Sequence, residues 1–486
     1  MKRKLFLIAF ISLLLSSCGG NKNKKNYAEL VDPMIGTAFH GHTYPGAVAP
    51  FGMVQVSPDT RIGMTWDGCS GYHYSDSVIY GFSHTHLSGT GCFDSCDVLM
   101  MPTTGELHFS NDISNGTSNS YVSRFSHDNE NASAGYYSVV LDDCNIKAEL
   151  TATERTGYHK YTYPEGQDAN VIIDLTHQDK VLNSSLKIEN KKELSGKRVS
   201  QHWAEEQRLY FVMQFSHAFD ESGIVFNGKT ITASEAEGQN VKGFVKFKDL
   251  QEPLYVKVGI SAVSIENARA NIDKNMSFES ALAASQKMWN KELGKIDVEM
   301  MDHDDEVVFY TSLYHTMVSP NLYSDANGDY LGRDMNVYNS DDDYYTVFSL
   351  WDTYRALHPL HSIINQKRTN DFINTFLLQY KHSGRLPVWE LWSNETNCMI
   401  GYHAVPVIYD AYMKGVDDYD VKYALQAMKA TADSNIFGVK SYVEKGFLAT
   451  ETEHESVSKT LEYAYDDWCI AMMSKKIGDD EGYRKY

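Results

Sequence analysis

Basic residues are scarce in this sequence: 44 Lys and Arg stand against 64 Asp and Glu, for a net charge of −20. A surface with that imbalance repels phosphate backbones and anionic substrates, which excludes nucleic acid as a partner and favours a neutral ligand. Cysteine is sparse too. Beyond Cys18 there are only Cys69, Cys92, Cys96, Cys144, Cys398 and Cys469. Their even number permits disulfides in an oxidising compartment without requiring them. Only Cys92 and Cys96 lie close together, and no second pair or histidine doublet follows at zinc-finger spacing, which argues against a structural zinc finger. The N-terminal apolar run, residues 5–15, falls short of the ~20 residues that span a bilayer.

That run is nevertheless informative. Lys2, Arg3 and Lys4 precede it, and Leu15, Ser16 and Ser17 lead into Cys18, so residues 1–18 have the form of a lipoprotein signal. The expected mature chain starts at a lipidated Cys18 and touches the membrane through that lipid anchor only, in the cell envelope, on the outer membrane or its periplasmic face. Residues 19–26 then form a polar tether.

From 27 to 263 the apolar pattern is short and alternating, as at 136–141, 170–175, 208–213 and 254–260, with Asn, Asp, Gly and Ser clusters between the runs. Period-two alternation buries one face of a strand, and this spacing predicts an antiparallel β-sandwich. From 264 to 486 the period becomes helical. Helices are predicted over 278–293, 306–318, 349–363, 369–380, 401–413, 421–431 and 457–477. Asn327-Gly328 predicts a hairpin within 324–330. An EF-hand is excluded there, because Asn336 stands where the closing glutamate belongs. Gly478 ends the last long helix and Asp479 or Asp480 starts another. The chain reaches Tyr486 soon after, which reads as a fragment. The fold class is therefore multidomain β plus α.

Aromatic residues make up 12% of the chain, with 32 Tyr and 7 Trp. Flat rings stack on the apolar faces of sugars, although they also fill cores. Three regions concentrate Gly, His, Trp and acidic residues. The first runs from Asp32-Pro33-Met34-Ile35-Gly36-Thr37 through Gly41-His42-Thr43-Tyr44-Pro45-Gly46 to Pro50-Phe51-Gly52. The second holds Gly71-Tyr72-His73-Tyr74 and Gly81-Phe82-Ser83-His84-Thr85-His86-Leu87-Ser88-Gly89. The third holds Trp351-Asp352-Thr353-Tyr354-Arg355, Leu386-Pro387-Val388-Trp389, Glu395-Thr396-Asn397-Cys398-Met399-Ile400-Gly401 and Glu462-Tyr463-Ala464-Tyr465-Asp466-Asp467.

In this order, from about Tyr27 to the last residue, these motifs resemble glycoside hydrolase family 92, the calcium-dependent exo-α-mannosidases. The resemblance implies an N-terminal β-sandwich followed by an (α/α)6 barrel, incomplete here, with the sugar between them. It implies removal of terminal mannose, of α-1,2 type, from glycoprotein or mannan glycans, with inversion and with Ca2+ on the sugar hydroxyls. Inversion needs two carboxyl groups about 6.5–9.5 Å apart. In the family these groups and the calcium ligands follow the helix carrying residues 461–467, so they are expected beyond Tyr486 and this chain is expected to be inactive. The alternative is a non-catalytic glycan-binding envelope lipoprotein.

The candidate substrate-binding residues are Trp66, His86, Asp352, Arg355, Trp389 and Glu395. Asp352 and Arg355 lie three apart on one helix face, so they form either a local ion pair or, as the resemblance favours, a sugar-hydroxyl clamp. Trp66 beside Asp67-Gly68 and Trp389 after Pro387 belong to loops facing a cleft. His84 and His86 read as a hydrogen-bonded pair before a metal site. Glu462 and Asp466, one helical turn apart, read as a solvated or capped helix face rather than a catalytic pair.

Overall fold

The computed structural model describes residues 25–63, 65–451 and 453–486. The signal and its Cys18 lie outside them. Two antiparallel sheets, one of eight strands and one of nine, occupy the N-terminal region. The alternation seen in the sequence is the cause: Gln207–Phe215 and Leu254–Ser261 pair with Phe211 opposite Ile260 and Met213 opposite Val258. All four side chains are buried in one core, and each contributes roughly 1.5–3 kcal/mol on leaving water.

The last sandwich strand ends at Ser261 and a short helix, Ile265–Ala270, begins at once, with Ser264 accepting from Asn267 N. Helix Phe278–Leu293 follows, started by Ser277, whose hydroxyl accepts from Ser280 N at 3.1 Å. It docks the helical region onto the sandwich through Trp289, which is fully buried, stacks near Tyr314 with ring centroids 4.4 Å apart, and donates from Nε1 to Val48 O at 2.7 Å. That hydrogen bond removes the usual cost of burying an indole N–H.

Helices His303–His315, Gln366–Ser383, Ala404–Met413, Val421–Ala432 and Ser456–Ile477 stand where helical periodicity predicts them. The single helix predicted over 349–363 is instead two pieces, Leu350–Thr353 and Leu357–Ile364, because Ala356 leaves the helical region of backbone space. The turn at Asn327-Gly328 exists, with Gly328 at φ +85°, but the hairpin it was predicted to close lies one step later, between Asp329–Leu331 and Val337–Asn339. Asp325 explains the shift. It is buried beneath Ser261, Asn267 and Asn271, all donating to its carboxylate, which pins the turn to the sandwich. Asp479 caps Asp480–Lys485 by accepting from Gly482 N at 2.9 Å. Among the described residues no helix is long and apolar enough to cross a membrane.

Candidate active site

Loops from both regions enclose a cavity of about 490 Å3. The sandwich supplies His40, His42, Trp66, the 88–91 loop and Trp203. The helical region supplies 347–349, Asp352, Trp389 and Met399. Three indoles therefore face one space. Trp66 is 57% exposed, its ring standing edge-on to His42 at 4.8 Å. Trp389 stands edge-on to Trp203 at 5.9 Å. Asp352 is the one carboxylate on the lining, held by the Ser349 hydroxyl.

Of the six residues singled out from the sequence, Trp66, Asp352 and Trp389 meet here. The other three do not line the cavity. Asp352 and Arg355 form neither a pair nor a common clamp: Arg355 donates to Glu462 Oε1 at 3.0 Å and lies over the Tyr354 and Trp351 rings. Glu395 accepts from Val388 N, Trp389 N and Asn397 N at 2.8–3.0 Å and pairs with the buried Arg333 at 3.2 Å. Its role is to hold the start of the strand Trp389–Leu391 in place, so Trp389 stands on a strand and not in the loop expected from the sequence. His86 is buried in the sandwich, with Asp59 2.8 Å from Nε2. His84 faces His159 rather than its neighbour, with Nε2 atoms 2.9 Å apart.

Glu462 and Asp466 are not a solvated face. Asp466 is fully buried, accepting from Tyr402 N at 2.8 Å and His403 Nδ1 at 2.9 Å. Burial raises its carboxyl, against the pull of His403. Tyr354 stacks on His403 at 4.1 Å and donates to Glu462 at 3.2 Å. The two carboxylates thus clamp the turn at Tyr354 and Arg355 to the Tyr402 loop.

Glu390 escaped sequence reasoning, since nothing in its neighbourhood marks it as buried. It accepts from Thr346 Oγ1 at 2.9 Å, Val347 N at 3.2 Å and Ser393 N at 2.7 Å, and so fixes the wall that carries Val347 and Trp389. Burial pushes its carboxyl up to about 7. The backbone around it is strained. Val347 (φ 66°), Trp392 (51°), Ser393 (69°) and Met399 (68°) all lie in the left-handed region. Such strain costs of order 1–3 kcal/mol per residue and gathers at binding sites.

Residues 30–261 match the glycosyl hydrolase family 92 N-terminal domain and residues 264–486 match the family's catalytic domain. A family 92 α-mannosidase of Bacteroides thetaiotaomicron is similar in structure, with a TM-score of 0.92 and 40% identity over 95% of this chain and 64% of its own. An inverting family 92 mannosidase of the same species has a TM-score of 0.86 and 28% identity, over 96% of this chain and 65% of its own. An uncharacterised secreted glycosidase of Arthroderma benhamiae is 26% identical over 94% of this chain. The chain spans 60% of that relative's length, and the catalytic-domain match running to its last residue gives the expected inactivity no support. With both domain models covering nearly the whole sequence, the chain belongs to glycosyl hydrolase family 92.

Proposed function

We propose that the protein containing this chain is an exo-acting α-mannosidase that removes terminal mannose, of α-1,2 type, from glycoprotein or mannan glycans in the cell envelope, tethered by a lipid on Cys18. The observation that carries the reading is the cavity between the two regions, with Trp66, Trp203 and Trp389 around a single carboxylate, Asp352. Indole faces match the C–H face of a hexose, and a carboxylate accepts from two vicinal hydroxyls. The similarity to Bacteroides mannosidases, one of them solved with mannoimidazole, supports mannose as that hexose.

Inversion requires a second carboxyl group facing the first across the bond. The cavity lining supplies only Asp352, so Asp352 is assigned to sugar binding and the acid and base are left unassigned. The family's calcium does not fit these residues either. A calcium ion takes six to eight oxygen ligands, whereas the lining offers one carboxylate among histidines and hydroxyls.

The test is hydrolysis of α-1,2-mannobiose by the whole protein, followed by NMR of the released anomer. Inverted β-mannose is expected, and Asp352→Ala should lower kcat/KM by a factor of 100 or more, in line with loss of a charged hydrogen bond of about 3 kcal/mol. Mannose binding without turnover would favour the glycan-binding alternative. Retained activity in Asp352→Ala would overturn the assignment of Asp352.

A further inference from the structure

A second polar cluster lies inside the sandwich, away from the sugar cavity. Asp59 ends the strand Gln55–Asp59, His86 follows Gly81–Ser83, Cys96 precedes Leu99–Thr104 and His177 follows Ala169–Asp174. Those four strands are neighbours in the eight-stranded sheet. All four side chains are buried: Asp59 0%, His86 2%, Cys96 1% and His177 2% exposed. Ligand atoms of Asp59, His86 and Cys96 fall within 4.8 Å of one another.

The hydrogen-bond pattern leaves a gap that protein groups do not close. His86 Nδ1 lies 3.0 Å from the Gln55 carbonyl, which can only accept, so Nδ1 carries a proton and Nε2 faces Asp59 Oδ1 at 2.8 Å. An imidazole held by Nδ1–H to a carbonyl, with Nε2 toward a carboxylate and a thiol, is the arrangement that orients a metal-binding histidine. On the other side, His177 Nε2 comes within 2.9 Å of Asp59 Oδ2. Nδ1 of His177, on the far side of the ring, has no hydrogen-bond partner. Buried polar atoms are rarely left so, and each costs about 1–3 kcal/mol.

The backbone makes room for the cluster. At Gly71 (φ +96°) a Cβ would stand 2.5 Å from Asp59 Oδ1 and 2.8 Å from Cys96 Sγ. Ser95 (φ 94°) and Cys96 (φ 57°) adopt the left-handed conformation, which turns the thiol inward. Arg198 fixes His177 from behind, donating to its carbonyl at 2.7 Å.

We propose that Asp59, His86 and Cys96 form a buried structural site for a zinc-class divalent cation, with His177 steadying the second carboxylate oxygen of Asp59. An imidazole, a carboxylate and a thiolate are donors that suit zinc, and the set excludes calcium, which takes oxygen. The charges also balance, since one carboxylate and one thiolate neutralise a divalent ion in a medium that penalises net charge. Binding displaces the thiol proton of Cys96. The site joins the loop that follows His86 to the sheet, and residues 88–91 of that loop line the sugar cavity.

The cluster at Cys92, Asp94 and His202 is the natural control. Its carboxylate is already occupied, accepting from Ala204 N, Trp203 N and the Cys92 thiol. The purified full chain would be loaded with Zn2+, dialysed and assayed by elemental analysis, and loaded in parallel with Co2+ for absorption spectroscopy. About one ion per chain is expected, with a thiolate-to-cobalt charge-transfer band. The band should vanish in Cys96→Ser and persist in Cys92→Ser, and zinc content should fall at least tenfold in His86→Ala. Where a variant fails to fold, chelator treatment of the wild-type chain decides: Tm should drop and return on adding Zn2+. Absence of bound zinc in a folded wild-type chain would overturn the proposal, as would loss of the band in Cys92→Ser with retention in Cys96→Ser.

Discussion

The sandwich and the helical region treat buried carboxylates differently. In the sandwich two of them face a cation, Asp97 meeting Arg198 and Asp174 meeting Lys242 at 2.6 Å, while Asp59 sits between His86 and His177. Burial acts to raise the carboxyls of Asp174 and Asp59, but Lys242 more than offsets this at Asp174, and the two histidines do so at Asp59. Asp179 is the exception. Burial raises its carboxyl and the like charges of Asp94 and Asp97 add to this, outweighing the pull of Arg198. In the helical region Glu390, Asp466 and Asp467 are held by backbone N–H, hydroxyl and imidazole donors instead. There burial prevails, and the carboxyls rise, to about 7 for Glu390 and about 6 for Asp467. A charge partner makes a buried acid a fixed anion. Without one the acid is poised near neutrality, a condition typical of binding and catalytic surroundings.

The comparison breaks first at Asp97. Asp97→Ala strands the guanidinium of Arg198, whose side chain is wholly buried, and should destabilise the chain by about 3–5 kcal/mol. Urea denaturation measures this, and a loss below about 1 kcal/mol would remove the distinction drawn for the sandwich.

Glu390→Gln tests the opposite regime. A raised carboxyl contributes stability that is complete below its unfolded value and is lost as pH rises through about 7. The wild-type chain should therefore lose of order 2–3 kcal/mol from this group between about pH 4.5 and 7.5. The glutamine variant should lack that slope while giving up about 1 kcal/mol for the bond from Val347 N. Equal slopes in the two chains would show that Glu390 does not titrate there.

The smallest effect belongs to the exposed pair Lys197–Glu237 at 2.9 Å. Lys197→Ala should change stability by less than about 1 kcal/mol, and less still in high salt. A larger change would mean that exposed pairs of the sandwich matter as much as buried ones.

Much of this was legible beforehand. Strand alternation at 208–213 and 254–260 and caps such as Ser277 and Asp479 act through neighbours in sequence, and they fold as their patterns indicate. The break at Ala356 was not legible, since 349–363 has helical periodicity throughout and only the packed chain shows two helices. Trp66 and Trp389 could be singled out because an indole beside a glycine or proline turn signal has few other uses, and Asp352 because the family resemblance favours a sugar contact on its helix. Arg355 and Glu395 carry the same chemistry, yet the fold spends them on Glu462 and on three backbone amides.

By itself, then, the sequence determined the two regions, the strand and helix periods that build them and the family to which the chain belongs, because these depend on patterns read over a few residues or on ordered motifs. Only the tertiary structure decided which polar side chains face sugar space, which hold loops, and which gather unseen in the sandwich. Asp59 and His177 stand more than a hundred residues apart, yet lie 2.9 Å from each other because one sheet brings together the end of one strand and the segment that follows another, with two other strands between. Spacing along the chain carries no trace of that contact. It arises from strand pairing, which is cooperative and long-range.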